Sequence, residues 1–265
     1  MQDSYSTEFI YQLFALIITI IVVHATYVAL VRPQAEAFVA YETTQTRQDP
    51  DYVPRRSPYV VVKDYEQETC FILVIWALAI IGYKGVAAVR ERRLLGMELV
   101  PLSEGMSVLP EDTRELGRHI QGLPARLQGA LLPRALMVAL HRFASTHNIQ
   151  DVSSAVHGVC EAESERLDSE MSMIRYIAWA VPSIGFIGTV RGIGDALGQA
   201  HKAVEGDISG VTASLGVAFN STLVALLLSI VLMFALHQLQ SLQERLILDS
   251  EDYCDQRLIR HMRVR

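Results

Sequence analysis

The chain has 265 residues, 51% hydrophobic and 20% charged, with a net charge of −6 and a mean hydropathy of +0.25. That hydropathy is high for a soluble protein with so many charges, and the apolar residues gather in runs separated by charged stretches, as a multi-span membrane protein requires. A negative balance gives no general basic field, which excludes nucleic acid as a partner, and the three cysteines, Cys70, Cys160 and Cys254, stand far apart with no metal spacing.

Residues 1–32 hold the first span. Phe9 to Val31 is an uncharged run of about 23 residues, enough to cross a bilayer with some tilt. Tyr11 and Tyr27 lie near its ends, where amphipathic rings favour the interface. No basic residue precedes it and it is too long for a cleavable signal. His24 is its one ionisable group and reads as a neutral histidine hydrogen-bonded within the bundle, with proton handling as the alternative.

Residues 33–68 are polar, with Pro33, Pro50, Pro54 and Pro58, and read as a periplasmic loop with a short helix around Gln34 to Tyr41. Residues 69–89 are the second span. Lys84 lies near its end, where a lysine can snorkel to the headgroups, and Arg90, Arg92 and Arg93 mark the inner side.

Residues 90–174 read as a cytoplasmic helical block. EDTREL after Pro110 resembles a helix start, with acids in the first turn, and Leu132 to Phe143 has leucines and alanines at helical spacing. Asp151, Ser153 or Ser154 is placed to cap a long helix that runs on, uninterrupted, into the third span. His141, His147 and His157 match no zinc spacing and read as solvated surface.

Residues 175–238 form a hairpin of the third and fourth spans, and residues 239–265 continue the fourth as an amphipathic cytoplasmic helix with Leu239, Leu242, Leu246 and Ile247 at helical spacing. The fold class is therefore an all-α integral membrane protein: four transmembrane helices with a helical cytoplasmic block between spans 2 and 3, and both termini cytoplasmic.

The hairpin is the unusual part. At 100° per residue, Pro182, Gly185, Thr189, Gly192 and Ala196 fall within about 80° of one another, with Gly188 beside them. Proline bends a helix and glycine lets another backbone come close. On the fourth span Ser214, Ala218, Ser221, Thr222, Ala225 and Ser229 share a sector of roughly 100°. Such small stripes are commonly packing faces, and a lone hydroxyl commonly bonds back to its own helix. Two matched stripes also suit the wall of an ion path, with Thr189, Thr222 and Ser221 as its hydroxyls. Asn220 lies off this face, where it is expected to bridge helices. Arg191 points away from Thr189, and Asp195 follows at ion-pairing spacing, so a pair packed against another span or subunit is expected ahead of a pore role. No Asp or Glu lies at the middle of any span, so an acid that moves the ion must come from another polypeptide.

On these residues the chain resembles the MotA/TolQ/ExbB proton channel family. Ala180–Leu197 has the P-x-x-G-x-x-G-T-V-x-G-I pattern of its signature helix, and Ala218–Ile230 resembles the next, with Thr222 at the mid-membrane threonine. Two spans before the block fit a MotA-like layout, whereas TolQ and ExbB have one, and Arg191 stands where ExbB-like proteins have an uncharged residue. The resemblance implies a homopentamer in the bacterial inner membrane around two copies of a single-span partner of MotB/TolR/ExbD type. An aspartate of that partner would carry H⁺ (possibly Na⁺) past Thr189 and Thr222, and no cofactor is implied. The competing reading is a non-conducting scaffold oligomer recruiting cytoplasmic partners. An enzyme is not expected, because no Ser/His, paired-Asp or HExxH arrangement lies at membrane depth.

Overall fold

The computed structural model describes residues 2–49, 52–53, 55, 57–101 and 106–264, with side chains from residue 8 onward except Arg126. The described chain is mostly helical: α1 (Gln2–Thr26), α2 (Arg32–Gln48), α3 (Pro58–Val62), α4 (Tyr65–Arg92), α5 (Thr113–Gln121), α6 (Ala125–Gln128), α7 (Leu131–Thr146), α8 (Ile149–Glu170), α9 (Ser172–Gly198), α10 (Ala200–Val204) and α11 (Ser209–Arg257). Four stretches are long and apolar enough to cross a membrane: Glu8–Gln48, Tyr65–Gly96, Ile149–Gly198 and Ser209–His261. Only 22–33% of their most apolar windows is buried within the chain. Side chains such as Phe14, Ile21, Val190 and Phe234 are left for lipid or other chains to cover.

Two compact units share these helices, Met1–Ile81 with Met173–Leu236 and Gly82–Ser172 with His237–Arg265. In the first, α1 lies on α4: Tyr11 donates to the Ala79 carbonyl at 3.3 Å and Trp76 to the Gln12 carbonyl at 2.9 Å. Val23, Tyr27 and Val31 form a small core with Phe71 and Ile72. The segment expected to be a loop after Val31 is mostly helix. One π-helical turn, Tyr27–Val31, joins α1 to α2. Pro33 sits in the first turn of α2, where a missing N–H disrupts nothing. α2 runs to Gln48 instead of ending near Tyr41, and Thr43, Thr44 and Thr46 turn their hydroxyls back onto carbonyls four residues earlier. Pro50 and Pro54 lie outside the described residues.

The second unit is a soluble-type core. α7 and α8 pack antiparallel around Leu136, Leu140, Phe143, Val152 and Val156, joined by Leu258 and Met262 from the chain's end. His147 takes the left-handed conformation (φ 53°) that ends α7. The cap of α8 is Asn148, whose side chain accepts the Gln150 amide at 2.9 Å, and not Asp151, Ser153 or Ser154. The expected continuous helix into the third span is interrupted once, at Met171, whose amide bonds three residues back to Asp168 at 3.2 Å. Lys84 does not snorkel. It is 5% exposed and bonded to Glu170 at 2.8 Å, and Arg166 links Glu170 to Glu163, which also holds Arg134 at 2.6 Å. A buried ammonium is tolerable only when paired in this way.

All three cysteines are buried. Burial pushes the Cys160 thiol up to about 11 and the Cys254 thiol up to about 12. A maleimide at pH 7.5 is expected to label these two, in the detergent-solubilised chain, on the order of a hundredfold more slowly than a free thiol, with full labelling after denaturation. Rapid native labelling, read by mass spectrometry of the two peptides, would contradict their burial.

Candidate functional site in the membrane hairpin

α9 and α11 form the hairpin, joined by α10 and a turn in which Gly206 has φ 97°. Asp207 ends that turn, accepting the Ser209 amide at 3.0 Å and the Ser209 hydroxyl, which hold its carboxyl below the usual range. Pro182 lies inside α9, which continues through it. The two helices touch backbone to backbone. A Cβ added to Gly185 would meet the Ala225 Cβ at 2.5 Å, one on Gly188 the Ser221 Cβ at 2.5 Å, and one on Gly192 the Ala218 nitrogen at 2.7 Å. The small stripe of the third span is thus pressed against the small stripe of the fourth. In an apolar solvent, where hydrophobic burial drives little, such close contact is what holds helices together.

Thr189 and Thr222 meet in this contact. Their hydroxyls bond each other; Thr189 also lies 3.1 Å from the Ala218 carbonyl and 3.3 Å from that of Gly185, and Thr222 donates to the Gly185 carbonyl at 3.1 Å. Two hydroxyl protons serve this set, and either threonine can donate to the other. Both side chains are half-buried. Ser221 is placed differently: 1% exposed, it donates to the Val217 carbonyl at 2.8 Å and lies 3.4 Å from the Gln67 amide nitrogen. It is inside the protomer, packed under Gly188.

The first turn of α4 lies against the hairpin, and its acids escape a reading of the spans alone because they close a polar segment. Glu66 grips Arg191 with both oxygens, at 2.6 and 2.9 Å, while Asp195 is 3.8 Å away. Arg191 therefore has a nearer partner than the one spacing indicates. Gln67 reaches Ser221 and the Val61 carbonyl at 3.2 Å, and Cys70 donates to the Val181 carbonyl at 3.7 Å. Glu68 holds His24 at 2.7 Å and also Arg32. The signal available in the sequence was a lone Arg191 in an apolar run, which demands an acid from another span. Among the described residues, no three His, Cys, Asp or Glu side chains converge as metal ligands.

Small residues pressed together around a mid-helix hydroxyl pair are the features on which the resemblance to one family rests. Residues 127–252 match the MotA/TolQ/ExbB proton channel family. No curated protein and no solved structure matches the chain. The match to the MotA/TolQ/ExbB family begins in α6 and ends in α11, so it takes in α7, α8 and the whole hairpin and leaves out the first two spans. With four membrane-length helices, it supports a channel-type membrane subunit.

The contact distances set an asymmetry between glycines. Gly192→Ala is expected to destabilise the hairpin by about 1–3 kcal/mol, because the methyl meets backbone. Gly194→Ala, with nothing within 4 Å, is expected to be neutral or to stabilise by up to about 1 kcal/mol through helix propensity. Thermal unfolding of the two variants in detergent checks the order.

Proposed function

We propose that this chain is the pore-lining subunit of an ion-motive-force-driven motor or energy-transducing complex of the bacterial inner membrane, with both termini cytoplasmic. In this reading five copies surround a dimer of a single-span, MotB/TolR/ExbD-like partner, and an aspartate in the partner's helix carries a proton, with Na⁺ as the alternative ion. The block of residues 90–174 lies in the cytoplasm, where the chain's arginine cluster after the second span is favoured.

The observation that supports this reading is the Thr189–Thr222 pair within a hairpin that matches the family. Its two hydroxyls share their protons among each other and two backbone carbonyls, so one can release an acceptor lone pair, or offer a proton, while the other stays satisfied. A carboxyl group brought against the pair would find a weakly polar partner with no net charge, suited to exchanging a proton at little desolvation cost. Ser221 contributes by fixing the helix spacing from inside, and Pro182, Gly185, Gly188 and Gly192 by bringing the helices close.

The scaffold reading draws on a different observation: the glycine stripe is already occupied in packing within one chain. The two separate by experiment. The chain is co-reconstituted with a single-span protein bearing a transmembrane Asp, in liposomes loaded with a pH-sensitive dye, under an imposed potential. Thr189→Ala and Thr222→Ala are each expected to lower proton flux on the order of a hundredfold with assembly unchanged. Flux no greater than that of liposomes holding the partner alone, unchanged between the wild type and both variants, would leave the scaffold standing.

A further inference from the structure

We propose that Glu66 is the fixed counter-ion of Arg191, a positioning residue that keeps the threonine wall of the hairpin electrically neutral toward a passing cation; the functional half of this inference rests on the channel reading. Arg191 cannot lose its proton, so its charge is permanent unless an acid cancels it. Among the described residues two acids lie within ion-pairing distance, Glu66 and Asp195, with Asp64 acting from farther off. Asp195 is 57% exposed and 3.8 Å away, whereas Glu66 is 11% exposed and bonded at 2.6 and 2.9 Å in the forked geometry that suits a guanidinium. Glu66 is also fixed in place: its Cγ lies 3.2 Å from where a Cβ on Gly188 would stand, so the absent side chain at Gly188 is what lets the acid lie against α9.

The location gives the pair its purpose. Arg191 follows Thr189 by two residues, which puts the two on nearly opposite sides of α9, roughly 10 Å apart. An uncancelled unit charge at that distance, in a medium of effective dielectric about 20, depletes a cation on the order of tenfold. Glu66 lies outside the residues that match the family, so the cancelling charge is supplied to the matched hairpin from the second span.

Two measurements on the full chain test this. Thermal unfolding in detergent, without any partner, is expected to show Glu66→Gln and Arg191→Gln each lowering Tm and the double variant regaining more than half of the loss; additive losses would mean the pair does not form. Proton flux per assembled complex in the liposomes described above is expected to fall about tenfold in Glu66→Gln. It should stay within about threefold of wild type in Arg191→Gln, in the double variant and in Glu66→Asp, because a carboxyl left alone can protonate and a guanidinium left alone cannot lose its charge. A merely structural pair would lower flux alike in both single variants, and that result would overturn the neutralising role. A wild-type complex that passes no ion would end the channel reading and the counter-ion's purpose with it, even where the melting cycle shows the coupling.

Discussion

The close approach of α9 and α11 is the constraint on which the hairpin depends. Helices in lipid gain little from burying apolar side chains against each other, since the surrounding chains are equally apolar. What remains is dispersion between atoms in direct contact and hydrogen bonds between groups that have no water to turn to. Gly185, Gly188 and Gly192 provide the first by letting backbone meet Ala225, Ser221 and Ala218. Thr189 and Thr222 provide the second, bonding across the same contact. The hydroxyl pair is held by the packing, and the packing has room for it because its neighbours are so small.

Charges in the apolar stretches follow a parallel logic. Arg191 has Glu66, Arg32 has Glu68, and Lys84 has Glu170. Each pair joins residues far apart in the chain, and each removes a charge that would otherwise face a medium unable to solvate it. Such pairs say more about which helices are neighbours than about how stable the protein is, because the attraction mostly repays the desolvation.

Much of this was legible in the sequence, and the rest was hidden for identifiable reasons. Angular counting brought Gly185, Thr189 and Gly192 to one face, and the structure shows what that face meets. Counting cannot say whether a small face turns to a sister helix or to a cavity, which is why Ser221 looked equivalent to Thr222 and is buried instead. Nor can it reach across the chain: Glu66 and Arg191 are 125 residues apart, and local spacing offered Asp195. Lys84 was read by its position near a span end, with no view of Glu170 in another helix. Pro33 was counted among the prolines of a loop, but a proline in the first turn of a helix is compatible with it.

The turn between Tyr27 and Val31 bears on how the amino-terminal helix is oriented. A π-helical turn accommodates one residue more than an α-helical one, so every side chain beyond it is out of phase with a straight ruler of 3.6. Arg32 is the first residue past this offset, and it seats on Glu68 between the rings of Tyr27 and Tyr65. Were the same five residues wound as ordinary α-helix, the segment would still read as one unbroken apolar helix, yet its arginine would swing by about a quarter turn, away from the acid that now receives it.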